Sequence, residues 1–224
     1  MPLFRTMLFC AVPAGVLAGL LMASLQQLWA VPLILRAEIY EAAAQAQVAA
    51  PAVSVARVAS TALADIVAGV AFALLLIAVQ VLRGGAVGGR RGLVWGLAGF
   101  VVFVLAPSLG LPPELPGTAS ADIAARQVWW IATAAATATG LGLLAFRFRL
   151  LPALLAVGLV LLPHLIGAPQ PGEAGTLVPA ALAHEFIAAV LVTGLVFWAV
   201  LGVITGVLHD RFLAARPELR PVAA

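Results

Sequence analysis

The stretch Phe186–Leu208 reads FIAAVLVTGLVFWAVLGVITGVL and contains no charged side chain. About 20 consecutive apolar residues suffice for a helix to cross the hydrocarbon core of a bilayer. The rest of the chain has a similar character, since 64% of its 224 residues are hydrophobic and only 9% are charged. A water-soluble domain carries about 25% charged residues. The sequence therefore predicts an all-α protein whose solvent is the lipid bilayer.

Six apolar stretches predict a polytopic bundle of about six transmembrane helices within a single integral membrane domain, 1–224. They are 7–31, 59–82, 93–111, 128–146, 150–167 and 179–208. The apolar core of a signal peptide has about 7–15 residues, so the longer first stretch is interpreted as a retained span. We expect this first helix to bend at Pro32 and to continue outside the membrane. The loop with Pro112, Pro113 and Pro116 is expected to be irregular.

The basic residues, which are all arginine, orient the bundle. Cytoplasmic segments of membrane proteins carry an excess of Arg and Lys. With the N-terminus in the cytoplasm, the inner segments contain nine of the 12, and the outer segments contain the other three, Arg36, Arg57 and Arg126. This distribution predicts an N-in/C-in topology. It also explains the positive charge better than nucleic-acid binding does.

With this orientation, most acidic and histidine residues lie at the outer side, and some of them are candidate metal ligands. The candidates are Glu38, Glu41, Asp65, His164, His184 and Glu185. Carboxylates at an entrance raise the local concentration of cations, and imidazole with carboxylate suits a divalent first-row metal. The alternative is that acids tolerate the outer side without having a function there.

The acidic candidates each have a second interpretation. Glu38 and Glu41 are three residues apart and share one face of a helix, so they can bind one cation together or pair with Arg36 at a solvated surface. Asp65 lies inside the second span, where an ionisable group is costly and is a functional candidate by default. Its alternative role is to pair with Arg57 or with a hydroxyl group.

The histidines His164 and His184 come from neighbouring, antiparallel helices, at the ends that a short loop connects. Together with Glu185 they can approach one another and form a metal site. A single histidine at a helix end can also simply form a hydrogen bond. Gln26 and Gln27 offer amide oxygens at the outer end of the first span, although hydrogen bonding between helices is the favoured role for them.

Two pairs of glycines have the spacing that brings membrane helices close together. They are Gly15 with Gly19, and Gly202 with Gly206. Packing within one chain is the favoured interpretation, and a homo-oligomer is also compatible with them. They suit equally well a scaffold protein that binds another subunit and transports nothing.

Several enzyme motifs do not occur in the sequence. It has no G-x-x-x-x-G-K-[ST], H-E-x-x-H, C-x-x-C or G-x-S-x-G, and its single cysteine, Cys10, excludes an internal disulfide. A membrane redox enzyme with histidine-ligated haem is the least favoured alternative, because His164 and His184 lie at one end and no second pair exists. We therefore expect a transporter and not an enzyme.

Three segments carry a resemblance to a known family. They are LQQLWAVPLILRAEIYE (25–41), LLPHLIGAPQP (161–171) and FWAVLGVITGVL (197–208). In them the chain resembles the cobalt transporter subunits of the CbtA family. The resemblance implies uptake of Co²⁺ across the bacterial inner membrane, in a setting linked to cobalamin metabolism, with no permanently bound cofactor. It also implies a partner, a small single-span subunit with a histidine-rich end.

The resemblance carries over to three of the candidate ligands and differs from the predicted span number. Glu38, Glu41 and His164 stand inside the matching segments, whereas Asp65 and the other candidates do not. The family is usually described with five spans, whereas the sequence predicts six. Either the five-span description undercounts at the tight Arg147–Arg149 connection between the fourth and fifth predicted helices, or one of the six predicted spans is wrong.

Overall fold

A computed structural model of the protein describes residues 2–44, 54–147, 149–172 and 175–214. Within these ranges every regular element is a helix, which confirms the predicted all-α class. The helices are α1 (Pro2–Leu25), α2 (Val31–Ala44), α3 (Val55–Arg83), α4 (Gly88–Phe100), α5 (Ala106–Ser108), α6 (Ile123–Phe146), α7 (Leu150–Ile166) and α8 (Ala180–His209).

Most of these helices are long and apolar enough to cross a membrane. Five helical stretches in the described residues qualify, and they are Leu3–Ala44, Val55–Arg83, Gly88–Ser108, Ile123–Phe146 and Ala180–Leu213. Helix α7 is also apolar but has 17 residues. At 1.5 Å per residue it is about 25 Å long, against a hydrocarbon core of about 30 Å. The predicted polytopic bundle of helices is confirmed. The number of spans is five if α7 does not cross the membrane and six if it does.

Three π-helical turns continue the helices without a break. They are Gln26–Ala30, Val101–Leu105 and Asp210–Ala214. The first of them joins α1 to α2, so the chain stays helical beyond Pro32, as the sequence predicted. Proline has no backbone N–H to donate to the preceding turn. A π-helical turn changes the hydrogen-bond register at that point and accommodates the missing donor.

The connections also follow the sequence prediction. Residues 109–122, with their three prolines, form turns and irregular backbone. Helix α6 ends at Phe146 and α7 begins at Leu150, which is the predicted tight connection. Helix α6, however, begins five residues before the predicted start at Val128, because Asp122 caps it. The Asp122 side chain accepts a hydrogen bond of 2.9 Å from the Ala125 N–H.

Removal of this cap should have a modest and measurable effect. The first N–H groups of a helix have no partner within the helix, and loss of an Asp cap costs about 1 kcal/mol. Asp122→Ala should therefore lower the free energy of unfolding by about 1 kcal/mol, measured by urea or thermal unfolding in detergent. Asp122→Asn should retain the stability, since Asn caps as well as Asp. Equal losses in both variants would contradict this role of the cap.

The chain divides into two compact units. Unit 1 consists of the described residues within 1–26, 53–100 and 193–224, and unit 2 consists of those within 27–52 and 101–192. The sequence prediction of a single domain stays a prediction.

Unit 1 is held together by helices that cross at glycines. A Cβ atom placed on Gly15 would lie 2.3 Å from the Val70 Cα, so α1 and α3 touch backbone to backbone. A Cβ on Gly202 would lie 2.4 Å from the Gly92 carbonyl oxygen, so α8 and α4 also touch backbone to backbone. Both predicted glycine pairs therefore pack within one chain, as expected from their spacing.

Unit 2 has an apolar core formed by α2, the start of α8 and the intervening loops. Its buried members are Ala30, Leu33, Ala37, Leu115, Val178, Leu182 and Phe186. Helices α6 and α7 form an antiparallel pair, in which Gly140 lies against the Ala156 carbonyl. This core fixes the faces of α2 and α8 on which several candidate ligands lie.

Candidate metal sites

Asp65 is a half-buried carboxylate inside the second span. It lies ten residues after the start of α3, and its Oδ1 accepts a hydrogen bond of 3.3 Å from Gln26 Nε2. The Asp65 Oδ2 is buried and has no hydrogen-bond partner in the described residues. The pair joins the π-helical turn that follows α1 to α3, which confirms the favoured role of Gln26 in hydrogen bonding between helices. The Ser60 hydroxyl instead donates to the Arg57 carbonyl.

The Gln26–Asp65 pair is positioned by two local features. Gly19 brings α1 close to α3, because a Cβ on Gly19 would lie 2.6 Å from the Asp65 carbonyl oxygen. Gln26 begins the first π-helical turn, a feature that is frequent at functional sites. An ionised carboxylate with one unpaired oxygen in an apolar span is costly unless a cation compensates it.

His164 lies in the last turn of α7, beside an aromatic ring. Its ring packs edge-on against Trp129, with 5.7 Å between the centroids. The indole N–H of Trp129 donates to the Pro163 carbonyl at 3.2 Å and so fixes the ring. The His164 Nε2 is buried and has no hydrogen-bond partner in the part of the chain that the structure describes. An imidazole nitrogen in that position is available as a metal ligand.

Glu38 and Glu41 are both half-buried and lie on α2, three residues apart, as the sequence predicted. Glu41 packs beside the turn at Gly117, whose φ of 77° favours glycine. The Gly117 carbonyl accepts a hydrogen bond from the Leu177 N–H, so two irregular loops of unit 2 meet next to Glu41. Nearby, the Thr118 hydroxyl is buried and has no partner in the described residues.

His184 and Glu185 are exposed in the first turns of α8. Glu185 lines a groove of about 350 Å³ together with Arg36 and Tyr40. A guanidinium in the same groove competes with any cation for the carboxylate. Glu185 is therefore a weaker candidate ligand than an acid without a basic neighbour.

A second groove in unit 2 contains an acid outside the predicted set. It has a volume of about 740 Å³, and its walls are mainly apolar. At one side, Glu114 Oε2 lies 2.8 Å from an Arg126 amino nitrogen and accepts a hydrogen bond of 2.6 Å from Ser120. This carboxylate already pairs with a guanidinium, which makes Glu114 a weaker candidate for binding a cation.

The six candidate ligands are therefore not gathered at one point. In the ranges that the structure describes, no group of three or more His, Cys, Asp or Glu side chains is placed to hold one metal ion. Asp65 is in unit 1, and the other five candidates are in unit 2. That these residues bind a metal stays a prediction, and the strongest local support is at Asp65 and His164.

Sequence reasoning missed a second set of buried polar residues in unit 1. Gln80 and Thr205 are fully buried, and His209 is 3% exposed. Their signal in the sequence is a polar residue within a long apolar helix. That signal is weak because a polar residue in an apolar helix can also direct its side chain towards the membrane surface and need not be buried in the protein.

The chain was compared with known proteins. No curated protein and no solved structure matched it. The model of the CbtA family, described as a probable cobalt transporter subunit, matches residues 4–210, which is nearly the whole chain. With its apolar helices, the chain is thus a multi-pass membrane protein that belongs to the CbtA family of probable cobalt transporter subunits.

Proposed function

We propose that this protein is the multi-span subunit of a Co²⁺ uptake system in the bacterial inner membrane, and that it is not an enzyme. Family membership supports the cargo and the term subunit. The observation that carries the proposal to particular atoms is Asp65, a carboxylate within an apolar span with one oxygen unpaired in the described residues. A passing cation would compensate its charge.

The proposed route begins at the outer side of an N-in/C-in bundle. Glu38 and Glu41 would raise the local concentration of Co²⁺, with His184 and Glu185 near the entrance. His164, whose Nε2 has no described partner, would exchange water for an imidazole ligand. In unit 1, Asp65 would stabilise an ion at depth within its own span.

The membrane potential provides a sufficient driving force. Moving one charge inward gains about 2.3 kcal/mol per 100 mV, and a divalent ion gains about twice as much, roughly 4.6 kcal/mol. The proposed partner, a small single-span subunit with a histidine-rich end, would bring the metal to the entrance. This chain has only three histidines, so a histidine-rich tract must come from elsewhere.

Uptake of radioactive cobalt by cells that express the chain with its partner subunit tests the proposal. Asp65→Asn keeps the size of the side chain and its bond to Gln26 but removes the charge. We expect at least a tenfold lower rate of uptake, equivalent to about 1.4 kcal/mol. The double variant Glu38→Ala/His164→Ala should raise the cobalt concentration needed for half-maximal uptake.

The matched control is Asp122→Asn, the same chemical change at the cap of α6. It should leave uptake unchanged. Unchanged uptake in Asp65→Asn would remove Asp65 from the route, and unchanged uptake in the double variant would remove the outer residues.

A scaffold subunit that transports nothing is the second candidate, because the family description names a subunit. A scaffold needs no metal of its own. The purified transporter should bind Co²⁺, with an affinity that weakens as the pH is lowered, since metal ligands bind in their deprotonated forms. A purified chain that binds no Co²⁺ at any pH, yet remains necessary for uptake, would favour the scaffold.

A further inference from the structure

His209, the last residue of α8, is a buried histidine outside the proposed route. It is 3% exposed, and its Nδ1 has no hydrogen bond in the described residues. This nitrogen lies 3.5 Å from Asp210 Oδ1. In the tautomer that carries its proton on Nε2, His209 Nδ1 and Asp210 Oδ1 both offer lone pairs, 3.5 Å apart.

Asp210 is held in this position by another helix of unit 1. Its Oδ1 accepts a hydrogen bond of 2.6 Å from the Val87 N–H, at the start of α4. A carboxylate near a helix N-terminus also interacts favourably with the helix dipole. The carboxylate is therefore fixed beside His209 and keeps a free lone pair, since each carboxylate oxygen can accept more than one bond.

A second buried pair lies one helical turn away on the same face of α8. Gln80 Nε2 donates to Thr205 Oγ1 at 3.2 Å, and Thr205 in turn donates to the Gly202 carbonyl at 3.1 Å. The Gln80 Oε1 remains buried and unpaired in the described residues. Thr205 and His209 are four residues apart, so they are neighbours on the helix surface.

The chemistry of these atoms indicates a cation. Imidazole nitrogen, carboxylate oxygen and amide oxygen all offer lone pairs, and the charge of Asp210 disfavours an anion. Two ligands of a tetrahedral ion, each about 2.1 Å from the metal, are about 3.4 Å apart. The observed 3.5 Å between His209 Nδ1 and Asp210 Oδ1 is close to that separation. Mixed nitrogen and oxygen ligands suit a first-row transition metal better than Mg²⁺ or Ca²⁺.

We infer that His209 Nδ1 and Asp210 Oδ1 bind one divalent transition-metal ion, with the unpaired amide oxygen of Gln80 as a further ligand from α3, whose amide nitrogen bonds Thr205 one turn before His209. The site is separate from Asp65. Asp65 and Gln80 are 15 residues apart on α3, which corresponds to about 22 Å along the helix. The inference goes beyond the proposed function, because metal binding here requires neither uptake nor a particular orientation in the membrane.

Titration of the purified full chain with Co²⁺ in detergent micelles tests the site. The d–d absorption of the bound ion reports its ligand geometry, and the thermal shift reports its affinity. Asp210→Asn keeps an acceptor for the Val87 N–H, since Asn caps as well as Asp, but removes the charged ligand. His209→Gln replaces the imidazole with a polar group. Each variant should weaken binding by at least tenfold and change the absorption.

Two further variants separate this site from other effects. Asp65→Asn should retain the His209 spectrum, even if it stops uptake. Thr137→Val removes a fully buried hydroxyl in unit 2, which is also unpaired in the described residues, and should leave Co²⁺ binding unchanged. Elution as a single peak in size-exclusion chromatography confirms that each variant is folded.

An unchanged Co²⁺ spectrum in both His209→Gln and Asp210→Asn would overturn the inference. So would an equal loss of binding in Thr137→Val. If uptake is absent in the parent protein while the His209-dependent spectrum persists, the inference stands and the proposed function fails.

Discussion

Gly15→Val should abolish the packing of α1 on α3 and leave little correctly folded protein. A Cβ on Gly15 would lie 2.3 Å from both Val70 Cα and Val70 N. These are backbone atoms of a continuous helix, so no side chain can rotate away to make space. In the reverse direction, a Cβ on Gly69 would lie 2.4 Å from the Gly15 carbonyl oxygen. The helices must therefore separate.

The loss should be at or above the upper end of the usual cost of overpacking, about 3 kcal/mol. Association of membrane helices depends on such close packing, since lipid tails are as apolar as the side chains. Thermal unfolding of the purified protein, followed by the monodisperse fraction in size-exclusion chromatography, measures the effect. We expect a much lower midpoint and a low yield.

Gly158→Val is the matched control. Gly158 is in the middle of α7, and a Cβ there would meet nothing within 4 Å. The same substitution should leave the thermal midpoint close to that of the parent protein. Equal midpoints in Gly15→Val and Gly158→Val would contradict the backbone contact between α1 and α3.

The second large effect concerns Trp198, which fills the space above Gly99. Trp198 is 2% exposed, and its ring centroid lies 4.8 Å from that of Phe72. A Cβ on Gly99 would lie 2.2 Å from the Trp198 ring. Truncation in Trp198→Ala leaves a cavity and should cost about 3–5 kcal/mol. Gly99→Ala alone should also destabilise the protein, because the confined ring cannot move aside.

A double-mutant cycle makes this prediction specific. Gly99→Ala should cost clearly less in the Trp198→Ala background, with a coupling of about 1–3 kcal/mol. Unfolding in detergent measures all four proteins. Additive losses would show that the two residues do not share the space. Phe4→Ala is the control for aromatic truncation, since Phe4 is 62% exposed, and it should have a much smaller effect.

The helices were predictable from the sequence because a membrane span requires a long apolar stretch. The starts of several helices were not, since hydropathy does not register a capping residue such as Asp122. The spacing of Gly15 and Gly19 predicted a close contact but did not name the partner. Gly69, Gly92 and Gly96 were missed because a contact between two helices depends on their pairing, which the sequence alone does not specify.

The candidate site was predictable only in part, for a related reason. The depth of Asp65 in an apolar helix indicated a functional residue, and the amides at the end of the first span indicated hydrogen bonding between helices. The confinement of His164 by Trp129 depends on the pairing of α6 with α7. The burial of His209 depends on the direction of its side chain, which the sequence alone does not specify.

The π-helical turn at Gln26–Ala30 contains one residue more than an α-helical turn. Removal of one residue within it should restore the α-helical hydrogen-bond pattern and leave Glu38 and Glu41 on the same faces. Each residue in a regular α-helix, in contrast, rotates the chain by about 100°. Removal of one residue from α2 before Glu38 should therefore turn both carboxylates by about that angle, although every ligand remains in the sequence. The π-helical turn is thus a place where the chain tolerates a change of length without a change in the direction of the side chains that follow.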